Sequence, residues 1–149
     1  MLVSSFTAAS AGLMDWLLAL AAAVAYALPA LAGHRMPHRS AKQLLLLAWA
    51  LHAASLVWGL AGQTPRFGFA PALSVTAWLV LTVYGVEQRR YPQMRSRWAL
   101  AALGSLAVLL AVVFPGTPLH VNASPWLPLH LALGIASYGL FAAAVVHAV

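Results

Sequence analysis

The sequence predicts an all-α fold, a polytopic bundle of about five transmembrane helices in a single transmembrane domain, residues 1–149. Hydrophobic residues make up 63% of the chain and charged residues only 7%, and the mean hydropathy is +0.87. This composition is typical of membrane proteins. Five apolar stretches follow one another, and a span of the hydrocarbon core needs about 20 apolar residues. Because lipid cannot satisfy backbone polar groups, each stretch is expected to be a helix.

The predicted helices are residues 12–33, 43–62, 71–86, 98–114 and 127–149. The third and fourth are short, and they need the flanking residues 67–70 and 115–116 to complete a span. The fifth helix has Pro128 in its first turn, where the missing N–H costs nothing. It ends at Val149 without the Lys or Arg that usually closes a helix at the cytoplasmic face. We therefore expect this last helix to be truncated and the full protein to continue.

The basic residues are distributed in a way that predicts the orientation of the chain. The net charge is +6, and seven of the eight basic residues fall in two short loops, namely Arg35, Arg39, Lys42, Arg89, Arg90, Arg95 and Arg97. By the positive-inside rule these loops are cytoplasmic and the N-terminus is outside. The same clustering argues against a nucleic-acid partner. The remaining Arg66 is predicted in an outer loop, as a partner for a haem propionate or as a side chain that snorkels to lipid headgroups.

His52 is the first candidate functional residue, because an ionisable group at membrane depth is costly and usually functional. It lies on a stripe of small or polar residues spaced for one helix face, formed by Ala48, His52, Ser55, Gly59 and Gly62. Such a stripe faces a bundle interior. One interpretation is an axial haem ligand near mid-membrane. The other is a neutral histidine that is hydrogen-bonded to a neighbouring helix, at Thr82, Ser105 or a backbone carbonyl.

His130 is the second candidate, at the outer end of the fifth predicted helix. It begins a similar stripe with Tyr138 beside it, formed by His130, Gly134, Ser137, Phe141 and Ala144. It is either a haem ligand, with His120 of the outer loop on the other side of the iron, or an interfacial residue at the helix entrance. His147 follows 17 residues later, about 25 Å deeper, and cannot share its site. His34 and His38 are expected to be solvated or in contact with headgroups.

Several classes of chemistry are excluded by what the sequence contains. The only carboxylates are Asp15 and Glu87, and they are predicted on opposite sides of the membrane. This excludes a carboxylate-based hydrolase and leaves a relay of buried acids unsupported. The chain has no cysteine, so disulfides, thiol relays and covalent haem attachment to a Cys-x-x-Cys-His motif are excluded as well. We therefore expect a protein that is not an enzyme.

Residues 124–144, SPWLPLHLALGIASYGLFAAA, resemble the segment of cytochrome c assembly membrane proteins in which a histidine opens a helix that bears Ser-Tyr. This is the CcsA-like family. Residues 72–79 and the Leu51-His52-Ala53 pattern look like its shorter HemX/YpjD-like branch. The resemblance runs from the first helix to the chain end and covers roughly the first half of such a protein. His130 matches the family's histidine before Ser-Tyr, for which a haem-ligand role is proposed, and His52 matches a membrane histidine.

The resemblance implies haem handling at the outer face of a bacterial inner membrane, in support of cytochrome c maturation. The implied cofactor is non-covalent b-type haem, with His130 and His52 as axial ligands. The implied partners are the lipid bilayer, haem, and other cytochrome c maturation membrane proteins or the C-terminal helices that would follow. The tryptophan-rich haem-binding loop of full assembly proteins is absent from these residues, so haem binding or delivery is expected rather than catalysis.

The alternative is a small membrane transporter or scaffold subunit with purely structural histidines. The two hypotheses differ in what His52 and His130 touch. Haem ligation requires an accessible imidazole nitrogen, whereas a structural histidine has its nitrogens bonded to neighbouring helices.

Overall fold

The computed structural model describes residues 2–32, 35–61, 66–88, 97–118, 124 and 126–148. Within these ranges the elements are α1 (Leu2–Ala32), α2 (His38–Ala61), β1 (Arg66–Phe67), α3 (Phe69–Glu87), α4 (Arg97–Val113), β2 (Thr117–Pro118) and α5 (Leu127–Ala148). The predicted all-α fold is confirmed, and each of the five apolar stretches coincides with one helix.

Three of the helices are long and apolar enough to cross a membrane, over Gly12–Ala32, His38–Leu60 and Phe69–Glu87. The apolar parts of α4 and α5 are shorter, Trp98–Val113 and Leu129–Phe141 within the described residues. The chain is therefore a helical membrane protein. Its shorter fourth helix agrees with the sequence, in which the fourth stretch needs flanking residues to complete a span.

The start of α2 differs from the prediction. The helix begins at His38, five residues before the predicted start, so Arg39 and Lys42 belong to its first turns and not to a loop. The first helical bond runs from the Ala41 N–H to the Pro37 carbonyl, at 3.1 Å. Because both basic side chains remain exposed, these turns extend the helix without burying charge.

The first four helices form a four-helix arrangement. α1 packs against α2 and α4, and α3 packs against α4 and α2. The buried residues are mostly alanines, including Ala19, Ala22, Ala23 and Ala25 of α1, Ala48 of α2, Ala77 of α3 and Ala101 and Ala107 of α4. Small side chains let helix backbones approach closely, which is the main source of packing energy between helices in lipid.

α5 lies outside this arrangement and packs on α3. Gly139 faces Thr76 there, since a Cβ at Gly139 would lie 3.4 Å from the Thr76 methyl carbon. None of the α5 side chains that the structure describes is buried, and Leu133, Tyr138 and Phe141 are among the most exposed large side chains. α5 is thus a peripheral helix.

The α2–α3 and α4–α5 connections, which are predicted to be the outer ones, are joined by a short antiparallel ladder between β1 and β2. Arg66 lies opposite Pro118 and Phe67 opposite Thr117. Two residues are too few to leave a recognisable strand pattern, and the ladder was not predicted. Gly116 precedes β2 with a φ of +79°, and a Cβ there would overlap the Phe67 backbone. A Cβ at Gly68 would lie 2.9 Å from the Gly116 Cα. The pairing puts both connections on the same side, as the predicted alternation of helices requires.

We expect Gly116→Ala to lower the free energy of unfolding by about 1–2 kcal/mol or more, because an L-residue is disfavoured at this φ and its Cβ has no room. Thermal unfolding of the protein in detergent measures the change. Gly85→Ala is the matched control, since a Cβ at Gly85 meets nothing within 4 Å and helical alanine is favoured over glycine. Equal stability of the two variants would show that the outer ladder does not depend on close approach at Gly116.

Candidate functional site

His52 of α2 lies between α1 and α3 and is fully buried, with 0% of its surface exposed. Its Nε2 is 2.9 Å from the Ser74 hydroxyl oxygen of α3. The rings of His52 and Tyr26 of α1 pack edge to face, with their centroids 5.8 Å apart and an angle of 86° between their planes. The prediction that the His52 stripe faces the bundle interior is therefore correct for His52 and for Ala48, which is also fully buried. It is wrong for Gly59, which is exposed and where a Cβ would meet nothing within 4 Å, and Gly62 lies outside the described residues.

The hydrogen-bond partner of His52 is not one of those named from the sequence. Thr82 instead accepts a hydrogen bond from Trp49 Nε1, at 2.8 Å. Ser105 donates to the Ala23 carbonyl of α1, at 3.0 Å. Both therefore link helices, as expected for polar groups in lipid, but they do so with partners other than the imidazole.

Gly104 of α4 makes room for the ring of Tyr26, which packs against His52. A Cβ at Gly104 would lie 3.2 Å from two ring carbons of Tyr26 and 2.8 Å from a methyl carbon of Leu81. The tyrosine ring therefore lies directly against the α4 backbone. Each of the four helices contributes one residue to the assembly formed by Tyr26, His52, Ser74 and Gly104, which we call the His52 cluster.

Two buried polar atoms of the His52 cluster, Tyr26 Oη and His52 Nδ1, have no hydrogen-bond partner within the described residues. An unpaired buried donor or acceptor costs about 1–3 kcal/mol. Nδ1 is chemically able to ligate a metal, but the His52 side chain is fully enclosed by protein. No group of three or more His, Cys, Asp or Glu side chains suitable for a metal ion is found in the described ranges. Ligation at Nδ1 would thus require α1–α4 to separate.

A second contact region between α2 and α3 lies one turn from His52. The Trp49 and Trp78 rings stack with centroids 5.1 Å apart and an angle of 21° between their planes. Trp78 Nε1 donates to the Trp49 carbonyl at 3.1 Å, and the Thr82 hydroxyl donates to the Trp78 carbonyl at 2.8 Å. The Thr82 bond lies within α3, whereas the ring stack and the Trp78–Trp49 bond link α2 to α3 one turn from the His52–Ser74 contact.

His130 has very different surroundings from His52. It lies in the first turn of α5, where its N–H donates to the Trp126 carbonyl at 2.9 Å, and its side chain is exposed. The rest of its predicted stripe is also open: Ser137, Phe141 and Ala144 are exposed. A Cβ at Gly134 would meet nothing within 4 Å. The Ser137 hydroxyl donates to the Gly134 carbonyl, at 2.7 Å, so this hydroxyl is satisfied within its own helix.

The contact between Gly139 and Thr76 gives the relative depth of the two histidines. His130 lies nine residues before Gly139, or about 14 Å of helix rise, whereas Ser74 lies two residues before Thr76, or about 3 Å. Because α3 and α5 run in the same direction, His130 is about 10 Å nearer the end of the bundle that carries β1 and β2 than the His52–Ser74 contact is. The structure therefore does not bring the two predicted ligands together.

The other histidines add little to either position. His34 and His120 lie outside the described residues, as does the predicted pairing of His120 with His130. His147 lies near the end of α5, far from His130 along the helix. His38 is exposed at the start of α2, at the opposite end of the bundle from β1 and β2.

We expect Ser74→Ala to lower the free energy of unfolding by about 1 kcal/mol, the usual value of a hydrogen bond between membrane helices, because it leaves His52 Nε2 without its partner. Unfolding in detergent measures the loss. Ser55→Ala is the control, since the Ser55 hydroxyl bonds only the His52 carbonyl of its own helix, at 2.9 Å. If both variants unfold alike, the His52–Ser74 bond does not hold α2 to α3.

Comparisons of the chain with protein-family models, with curated proteins and with solved structures find no match.

Proposed function

We propose that this chain is an integral protein of a bacterial inner membrane that binds b-type haem non-covalently at its outer side and supports cytochrome c maturation by haem binding or delivery. The observation that carries the proposal is the position of His130. Its imidazole is exposed at the outer end of α5, on a stripe that none of the described helices covers. The resemblance of residues 124–144 to cytochrome c assembly proteins supplies the cellular context.

The surroundings of His130 fit a flat, largely apolar macrocycle. Gly134 leaves open space one turn further along α5, and the same helix exposes the aromatic rings of Tyr138 and Phe141. Haem, when bound, supplies an iron atom with axial positions that a neutral imidazole can occupy. His130 would hold the iron, and the two aromatic residues would offer apolar contact.

Arg66 is the residue best placed to hold a haem propionate. It is exposed on β1, at the outer end of α3, which is the level at which the helix rise places His130. Its charge also attracts the Asp15 carboxylate of α1. A guanidinium has five N–H donors, and planar pairs of them match a carboxylate, so Arg66 could bind a haem propionate.

His52 has a different role in this proposal. Both histidines were predicted as axial ligands, but the Nε2 of His52 is bonded to Ser74 and its ring is enclosed. We therefore assign the ligand role to His130 and a structural role to His52. A second ligand to the iron would come from a residue outside the described part of the chain, such as His120, or from a partner protein.

A second candidate function is a scaffold subunit that binds other membrane helices. The exposed large side chains of α5, Leu133, Tyr138 and Phe141, favour it, because such a surface can pack against a partner. In this candidate the histidines bind no cofactor. His52 only links helices, and His130 is an interfacial residue.

We expect the purified full chain in detergent to develop a Soret band on titration with ferric haem, and His130→Ala to weaken haem binding by at least about tenfold. That loss is typical even of residues that merely orient a ligand. His38→Ala is the matched control, because it removes an exposed histidine at the other end of the bundle. His52→Ala should retain the Soret band while lowering thermal stability.

An unchanged Soret band and affinity in His130→Ala would exclude His130 as the ligand. The absence of a Soret band in the wild-type protein would exclude the haem proposal altogether and favour the scaffold candidate. Loss of haem by His52→Ala without loss of stability would return the ligand role to His52.

A further inference from the structure

The charged side chains are distributed unevenly between the two ends of the bundle. Seven of the eight basic side chains and one of the two acidic ones lie in residues 35–42 or 87–97, at the end that is predicted to be cytoplasmic. The remaining two, Asp15 and Arg66, lie toward the end that carries β1 and β2, which we call the ladder end. The ladder end therefore presents one negative and one positive side chain, whose charges cancel.

The packing of α1 against α4 places Asp15 at the level of the ladder. Ala19 of α1 and Val112 of α4 belong to one packed cluster, and the two helices run in opposite directions. Asp15 lies four residues beyond Ala19 toward the ladder end, about 6 Å of helix rise. Gly116, which approaches the backbone of β1 closely, lies equally far along the chain from Val112. Asp15 is thus close to the strand that carries Arg66.

Asp15 and Arg66 attract each other electrostatically, but they do not form a direct ion pair. Both side chains are exposed, and neither forms a hydrogen bond or an ion pair with any residue that the structure describes. Two neighbouring opposite charges that are both open can bind a ligand that carries the complementary pair. Such a ligand has an anionic group for the guanidinium and a cationic group for the carboxylate.

Exposed aromatic side chains indicate the membrane boundary at the ladder end. Each helix has one in its apolar span near this end or directly beside it, namely Trp16, Trp58, Phe69, Phe114 and Trp126. Such rings are enriched at the headgroup level of a bilayer. Trp16 directly follows Asp15, and Phe69 lies three residues after Arg66. We therefore expect the two charges to lie among lipid headgroups.

We propose that Asp15 and Arg66 bind the headgroup of a zwitterionic phospholipid with a primary ammonium group, with the phosphate on the Arg66 guanidinium and the ammonium on the Asp15 carboxylate. Pairs of guanidinium donors match a phosphate, and an ammonium group has three N–H donors. An anionic headgroup would gain the contact with Arg66 but would be repelled by Asp15. The selected lipid is therefore neutral overall.

This lipid site shares Arg66 with the proposed contact to a haem propionate, but it does not rest on haem binding. A propionate on Arg66 would replace the lipid phosphate at the same guanidinium. The lipid site is tested on the haem-free protein, whereas the haem proposal is tested by the Soret band. Failure of one proposal is therefore distinguishable from failure of the other.

Native mass spectrometry of the haem-free full chain in mild detergent, with dioleoyl phosphatidylethanolamine or dioleoyl phosphatidylcholine added, tests the proposal. Both probes are neutral and have the same phosphate, but the trimethylammonium group of phosphatidylcholine has no N–H to donate. We expect one phosphatidylethanolamine to be retained in preference to phosphatidylcholine.

Asp15→Asn should abolish this preference, with a loss of phosphatidylethanolamine of up to about fivefold, the upper value of an exposed ion pair. Arg66→Gln should lower the retention of both lipids about fivefold, the usual effect of one basic residue near a phosphate surface. The matched controls are Glu87→Gln and Arg39→Gln, which remove the same charges at the opposite end of the bundle and should leave the preference unchanged.

An unchanged preference in Asp15→Asn would overturn the proposal, as would equal losses in Asp15→Asn and Glu87→Gln, which would show general charge attraction without a site. Thermal unfolding in lipid-free detergent supplies a second measurement. If Asp15→Asn and Arg66→Gln each lower the stability and the double variant is no less stable than either, the two side chains bind each other, which also overturns the proposal. Both side chains are exposed, so we expect the variants to fold.

Discussion

The hydrogen bond between His52 and Ser74 is the contact on which the arrangement of the first four helices depends. Buried alanines allow α1–α4 to approach closely, but smooth alanine surfaces do little to choose one rotation or depth of a helix over another. Polar side chains determine the rotation and depth, because a donor or acceptor that is buried in lipid has no water with which to form a hydrogen bond. A shift of α2 by one residue would rotate His52 by about 100° away from Ser74. It would break the Trp49–Thr82 bond in the same step.

The outer ladder adds a second constraint at the end of the bundle. β1 and β2 join the α2–α3 connection to the α4–α5 connection, and the close approach of Gly116 to Phe67 leaves little freedom between them. α1–α4 are thus fixed at mid-depth by side-chain hydrogen bonds, and their outer connections by backbone pairing. α5 has neither kind of bond to another helix among the described residues. Its peripheral position leaves the imidazole of His130 accessible.

The lengths of the apolar stretches were enough to predict the five helices, and periodicity within the second was enough to predict the inward direction of His52. It could not identify Ser74, because a partner on another helix depends on the rotation and depth of that helix. Nor could it distinguish the stripe on α2 from the similar one on α5. Small residues allow a neighbour to approach, but they do not show that a neighbour exists. The α2 stripe is buried at Ala48 and His52 and exposed at Gly59, whereas the α5 stripe is exposed at His130 and Phe141. The one tyrosine in the alanine-rich run of α1, Tyr26, was the available signal for a specific contact there.

The separation of the two histidines limits the route by which haem can reach the site proposed here. At the His52 cluster the helices are closed by alanine packing, and the imidazole itself is fully buried, so a macrocycle cannot pass between α1 and α4 without separating them. The His130 side chain is exposed, and none of the described helices covers it. Haem bound there would therefore arrive laterally, along the exposed α5 face or from the outer side. The four-helix arrangement would serve as the rigid support that holds α5 at its depth.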